Sequence, residues 1–217
     1  MGLITVERKI LDMNDKIARE NRLLFKEKKI FACNILSSPG SGKTSLIEKT
    51  IKFTKDKFNS VVIEGDIETS LDAERIQNLN VPVVQIVTNG ACHLDADLVK
   101  DAFDNLDISK AKLLVIENVG NLVCPAEFDI GEHIKVVVLS VTEGEDKPQK
   151  YPLVFRESEA LIINKIDLLP HLKFSMDVLR NNVLKINPKL KIFETSCYTD
   201  DGIQDWCDWL ESRMKLL

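Results

Sequence analysis

Apolar positions along this chain fall into two rhythms. Seven short runs, 30–36, 60–66, 81–87, 112–119, 134–141, 160–164 and 190–195, are apolar almost throughout. Runs of that length without alternation predict strands buried on both faces, as in a parallel sheet. Between them lie segments with helical spacing at 45–51, 71–79, 94–106, 174–186 and 202–215, with Asn89-Gly90 marking the turn before the third. Strand and helix alternate to the end. The predicted fold class is therefore α/β, a three-layer, doubly wound and mostly parallel sheet within one domain at 30–217.

Residues 1–29 stand apart from that alternation. Leu3, Val6, Ile10, Met13, Ile17 and Leu24 recur at spacings of three, four and seven, forming one apolar stripe on a helix that is otherwise charged. This added N-terminal helix is expected to pack its stripe on the core or to present it to a partner.

Ser37-Ser38-Pro39-Gly40-Ser41-Gly42-Lys43-Thr44 joins the first strand to the first helix. Strand, glycine-rich turn, Gly-Lys-Thr and helix make a phosphate-binding loop in its expected context. Gly40 and Gly42 let the backbone wrap a phosphate, and the helix N-terminus behind adds partial positive charge. Pro39, Gly40, Ser41, Gly42 and Ser45 complete the cradle; Lys43 can neutralise the β and γ phosphates, and the Thr44 hydroxyl can ligate Mg²⁺. The pattern's first glycine is replaced by Ser37, where backbone strain is expected.

Composition narrows the class of partners. The 217 residues carry a net charge of −5, with 44% hydrophobic and 29% charged positions, as in an ordinary globular domain with a sizeable core. Nucleic acid and anionic membranes are excluded as partners on charge, and no apolar run approaches the ~20 residues of a membrane helix. The first 29 residues are too charged for a signal peptide. Five cysteines, an odd number without a CxxC pair, fit a reducing cytoplasm.

The remaining candidate chemistry falls at the carboxyl ends of the strands, where open α/β sheets bind ligands. Asn164-Lys165-Ile166-Asp167 follows an apolar strand. Asp167 can accept hydrogen bonds from guanine N1 and its 2-amino group, Asn164 can meet the other ring edge, and the Lys165 stem can lie against the base. Ser196 and Cys197, after the last strand, sit where a second loop would contact the base. Glu117 ends another strand; with Asp66 it is a candidate for the Mg²⁺ shell or for positioning water, and Gly120 can offer its amide to the γ-phosphate. Lys43, Asp66 and Glu117 are thus the expected catalytic groups, with Thr44, Asp66 and Glu117 around Mg²⁺. No glutamine or arginine is evidently placed to speed hydrolysis, so a slow intrinsic rate is predicted. Cys92, His93 and Cys124 form a ligand set suited to Ni²⁺ or Zn²⁺, though an adjacent Cys-His pair also occurs as core plus cap. Asp95, water or a second subunit could complete that set. His133 and His171 read as surface residues, and Cys33, Cys197 and Cys207, in or beside apolar segments, as structural. The 145–152 segment, with Lys147 and Lys150, reads either as a nucleotide or partner contact or as a solvated connection.

SSPGSGKT, VIEGDIET, NGACHLDADLV, IENVGNLVCPAEFDIGE, EGEDKPQKYP and NKID occur in one order between about residues 30 and 209. In that combination the chain resembles the hydrogenase-maturation GTPases that assist nickel insertion, the HypB family within the dimerising SIMIBI branch of P-loop NTPases. The resemblance implies GTP and Mg²⁺ at the loop, with Asn164 and Asp167 reading guanine. It implies a regulatory Ni²⁺ or Zn²⁺ site at Cys92, His93 and Cys124, near a GTP-favoured homodimer interface. A small nickel-binding maturation chaperone and the hydrogenase large subunit are the implied partners. No cysteine precedes Cys33 and only three histidines are present, so high-capacity nickel storage is not implied. The urease accessory GTPases, whose Cys-Pro-His lies in one segment, match less well. A P-loop small-molecule kinase is opposed by Asn164–Asp167, and a non-catalytic metal-binding module remains the third alternative.

Overall fold

Each of the seven apolar runs becomes a strand of one sheet. The computed structural model describes residues 6–67 and 71–217. Its strands are β1 (Phe31–Ser37), β2 (Asn59–Asp66), β3 (Val83–Val87), β4 (Ala111–Glu117), β5 (Ile134–Ser140), β6 (Ala160–Asn164) and β7 (Lys191–Glu194). They pair in the order β3-β2-β4-β1-β5-β6-β7, each pair parallel. With β1 between β4 and β5, a phosphate-binding turn leaving β1 opens beside the ends of both neighbours.

Helices cover both faces, which is why the strands read as unbroken apolar runs. On one face Phe31, Cys33 and Ile35 of β1 meet α2 (Lys43–Thr54) and α9 (Ile203–Met214), with Leu46, Ile47 and the fully buried Trp206 at the centre. Ala32 and Leu36 of the same strand point the other way. There α1 (Val6–Lys28) and α4 (Ala96–Asp104) close one half, and α7 (Pro152–Glu157) and α8 (Met176–Ile186) the other. The last strand is flanked as predicted, and α3 (Leu71–Gln77) follows β2.

Two helices of four residues, α5 (Cys124–Glu127) and α6 (Lys147–Lys150), and the six-residue α7 lie in stretches with no helical period. Each carries proline in its first turn, where the missing N–H costs nothing. The 145–152 segment is an ordered connection: Pro148 is buried and the Glu145 carboxylate accepts from the Ser175 amide at 2.6 Å.

The helix α1 corrects the reading of its stripe. Its buried face is Asn14, Ala18, Asn21 and Phe25, whereas Met13 is 70% exposed. Leu3, and the side chains of Val6 and Ile10, lie outside the described residues. The reason is polar docking. Asn14 donates to the Asp129 carbonyl (2.7 Å) and accepts from the Ala96 amide (2.9 Å); Asn21 donates to the carbonyls of Ala96 (2.7 Å) and Ile130 (3.1 Å). Arg22 closes a bidentate pair on Asp129 at 2.7 and 2.8 Å. A hydrophobic pattern cannot register a helix that seats itself through asparagines.

His133 is likewise no surface residue: its Nδ1 accepts from the Ala32 amide at 2.9 Å and its ring stacks on Phe31. His171 is exposed. Among the described residues, no helix is long and apolar enough to cross a membrane.

Replacing Asn14 by Leu strips a buried amide and a buried carbonyl of their partner, so stability should fall by about 1–3 kcal/mol, read as a lower urea midpoint. Met13→Ala should stay within about 0.5 kcal/mol. The reverse ranking would restore the apolar stripe as the docking face.

Candidate functional site

Four groups of side chains converge at the carboxyl ends of β1, β2, β4 and β6. The turn after β1 is built on Gly40 and Gly42, both left-handed, with φ of +76° and +99°. Gly42 begins α2 without a side-chain cap, so the first amides of that helix face the cleft without one. A Cβ on Gly42 would lie 2.4 Å from Asn164 Nδ2, which ties this turn to the end of β6. Ser37 needs no such freedom: it is the last residue of β1 and has no positive φ. Its hydroxyl donates to the Ser38 carbonyl (2.6 Å) and accepts from Lys43 Nζ (3.0 Å). The expected strain is absent because the loop turns sharply only from Gly40 onward.

Beside Lys43 lies a carboxylate cluster. Parallel register sets Glu64 of β2 directly opposite Glu117 of β4. Asp72, from the first turn of α3, completes a group in which one carboxylate oxygen from each residue lies within 4.8 Å of the others. Thr44 donates to Glu117 Oε1 at 2.9 Å, and Lys43 Nζ is 3.9 Å from the same oxygen. Glu64 Oε2 and Glu117 Oε2 are buried with no hydrogen-bond partner. Burial raises both carboxyls above the usual range; the facing Glu117 pushes Glu64 further, while Lys43 pulls Glu117 back. Hard, crowded oxygens that lack donors fit a small divalent cation such as Mg²⁺. Glu117 sits in this cluster, whereas Asp66, two residues beyond Glu64, lines the same 660 Å³ cleft from outside the three-acid group.

At the other end of the cleft, Asn164 donates to the Ser41 carbonyl (3.0 Å) and Lys165, itself left-handed at φ +64°, to that of Gly40 (2.7 Å). Asp167 accepts from Ser196 Oγ at 2.5 Å, and that oxygen accepts from the amides of Tyr198 and Thr199. A hollow lined by Asn164, Lys165, Asp167 and Cys197 opens there, sized 360 Å³. Burial pushes the Cys197 thiol up to about 11, so it lines this hollow as a neutral group.

Cys92, His93 and Cys124 come together although 32 residues separate the thiols. The Cys92 thiol donates to Cys124 Sγ across 2.9 Å, with His93 Nδ1 3.7 Å from Cys92 Sγ. Both thiols are free and half-buried. The shared Cys92 hydrogen bond and burial raise Cys124, while the Asn121 side chain lowers it. Burial lowers His93, against the pull of Asp95 and Glu127, and Phe128 packs on its ring. Two thiols and a neutral imidazole are a soft donor set suited to Ni²⁺ or Zn²⁺. Asp95 stands outside it, because its carboxylate caps α4 by accepting from the Leu98 amide.

Residues 31–194, from β1 through β7, match the CobW/HypB/UreG nucleotide-binding domain. The chain belongs to that family. Hydrogenase maturation factor HypB of Rhizobium leguminosarum bv. viciae is 51% identical over 209 residues, covering 96% of this chain and 70% of that protein. HypB from Helicobacter pylori, solved in complex with nickel, superposes with a TM-score of 0.89 at 35% identity, covering 94% of this chain and 95% of that one. HypB from Archaeoglobus fulgidus gives 0.88 at 36% identity, covering 94% and 100%. The sheet with its P-loop is the architecture shared with these structures.

Within this CobW/HypB/UreG domain several cleft residues escape the sequence reading. Glu64 hides inside a strand, and Asp72 looks like an ordinary helix charge. Arg75 donates to Ser45 Oγ (3.0 Å), Glu48 (2.9 Å) and Asp72 (3.0 Å), so a cation does line the cleft. The i,i+3 spacing of Asp72 and Arg75 was the available signal. Lys147 reaches Ser38 Oγ at 3.3 Å, whereas Lys150 pairs with Asp146 in solvent.

Glu64→Gln removes one of two facing buried carboxyls without changing volume. Its expected outcome is a nucleotide-free protein about 2–8 °C more heat-stable, from about 1–2 kcal/mol, with weaker Mg²⁺-dependent nucleotide binding. A calorimetric scan showing lower stability would contradict the reading of an uncompensated pair.

Proposed function

We propose that the protein is a GTP-hydrolysing metallochaperone that binds nickel and assists its insertion during maturation of [NiFe]-hydrogenase. The carrying observation is that one short stretch, Glu117 to Cys124, holds both a carboxylate of the phosphate cleft and a thiol of the soft-metal cluster. The likeness to HypB structures, one of them holding nickel, supports the same reading.

In this reading the P-loop amides and Lys43 hold the β and γ phosphates, while Glu117, Asp72 and Glu64 would hold Mg²⁺ with the Thr44 hydroxyl. When bound, that ion neutralises charge developing on the transferred phosphoryl group. Lys43 moves from Ser37 to phosphate, and Thr44 releases Glu117. Asp66 lies at the cleft wall to hold metal-bound or attacking water, and the Gly120 amide meets the γ-phosphate. Asn164 and Asp167 read guanine, with Lys165, Ser196 and Cys197 around the base. Arg75 is already engaged by two carboxylates, so intrinsic turnover is slow. Nickel is cargo at Cys92, His93 and Cys124; Zn²⁺ suits the same donors. A GTP-favoured homodimer supplies further ligands, and the metal passes to a small nickel-binding chaperone and the hydrogenase large subunit. The compartment is the cytoplasm. Phosphate occupancy shifts residues 117–124, and this sets nickel affinity.

Nickel titration in the presence of GDP and of a non-hydrolysable GTP analogue should give dissociation constants that differ about fivefold or more. Cys92→Ala or Cys124→Ala should abolish this binding and leave nucleotide binding intact; equal nickel affinity in both nucleotide states would remove the switch. Asp167→Ala should cut the preference for guanine over adenine by about 10- to 150-fold, the worth of one charged hydrogen bond. Lys43→Ala should end phosphate release. A wild-type protein that binds both bases alike would instead support a different nucleotide.

A further inference from the structure

We infer that Asn121 is the positioning residue through which the phosphate cleft moves the two thiols. The inference rests on the nucleotide-dependent nickel reading above and names the side chain that carries it.

Three contacts meet at this residue. Its backbone forms an isolated antiparallel bridge with Ser37, the residue that leads into the phosphate-binding loop. Its side-chain amide donates to the Cys92 carbonyl at 3.2 Å, and its side-chain carbonyl accepts from the Val123 amide at 2.9 Å. One planar group thus spans the main chain of one thiol and the residue before the other. Only a side chain with donor and acceptor a fixed distance apart can hold both at once, which asparagine supplies and aspartate does not.

The same turn is pressed by the phosphate loop. The Asn121 amide closes a tight turn on the Val119 carbonyl at 2.7 Å. Gly120, inside that turn, lies so close to Pro39 that an added Cβ would stand 2.9 Å from Pro39 Cγ and 3.2 Å from its backbone. A movement of Pro39 or Gly120 on γ-phosphate binding therefore cannot be absorbed by slack between them. It displaces Asn121, and the amide pulls on Cys92 and Val123 together. The two sulfurs sit 2.9 Å apart, and metal ligation tolerates displacements of only about 0.2 Å.

A second link, Asn118 accepting from the Leu94 amide at 3.1 Å, is buried among Asn34 and the strand ends and belongs to the fold. Asn121 is only half-buried, so its role is separable from folding.

The test is the ratio of nickel dissociation constants with GDP and with a non-hydrolysable GTP analogue, measured by titration calorimetry on the full chain. In wild type this ratio should depart from one by about 5- to 150-fold. Asn121→Ala should bring it to within about twofold of one, while nucleotide affinity without nickel stays within about threefold. If Asn121 serves structure alone, both constants weaken by one factor and the ratio survives; that result overturns the inference. A wild-type ratio of one overturns the nickel-switch reading itself, and is told apart because it needs no variant. Should Asn121→Ala melt too low to assay, Asn121→Asp keeps the acceptor for Val123 and loses the amide that donates to the Cys92 carbonyl and bears on the Cys124 thiol. It too should collapse the ratio, and an intact ratio there would again refute the role.

Discussion

The pairing of Glu64 with Glu117 across two parallel strands is the constraint from which the site follows. Register on β2 and β4 fixes the two carboxyls side by side, and the sheet buries them where water cannot screen them. Burial and the facing Glu117 push Glu64 up to about 11, so it keeps its proton at neutral pH, and holding a carboxyl protonated in the fold costs stability. The nearest relief inside the protein is partial: Thr44 and Lys43 reach one oxygen of Glu117, leaving the far oxygens unpartnered. Oxygens short of donors and crowded beside the P-loop are suited to a small divalent cation. Asp72 adds a third carboxylate from α3, and Arg75 fastens that helix to α2 through Glu48 and Ser45.

From that centre the geometry runs outward in short steps. Glu117 ends β4, Gly120 packs on Pro39, Asn121 bridges to Ser37, and Cys124 opens α5. The Cys92-His93 loop is fastened to the same stretch through Asn118 and Asn121. On the outer side, α1 grips Ala96 and the 129–130 turn, the two segments that follow His93 and Cys124. The soft-metal cluster is therefore held from both sides, by the nucleotide cleft within and by a docked helix without.

The strands were legible because burial on both faces leaves no polar position to interrupt them. The phosphate loop and the Asn164–Asp167 turn were legible because their chemistry is local, each complete within eight residues. What could not be read was set by register or by docking across the chain. Glu64 reads as a polar residue in a strand until its partner strand is known. Asp72 and Arg75 read as a helix surface until α3 is laid over the loop. The buried face of α1 is half asparagine, so its apolar stripe marks only the flank of that face: Leu24 packs on the core, Ile17 is half-buried and Met13 is exposed. Cys124 stands 32 positions from Cys92, so donor chemistry offered the set as one reading beside core plus cap, and the resemblance favoured it; the short α5 and α6 are below the length at which a period exists.

Coupling between two sites is reciprocal, so nickel must change nucleotide preference by the factor with which nucleotide changes nickel affinity. The most direct measurement is competition between GTP and GDP for the full chain, with Mg²⁺ fixed, at zero and at saturating nickel. A GTP-to-GDP affinity ratio that moves about fivefold or more with nickel is the predicted result. A ratio unmoved by nickel would contradict the account, because the two sites would then share a stretch of chain without sharing free energy.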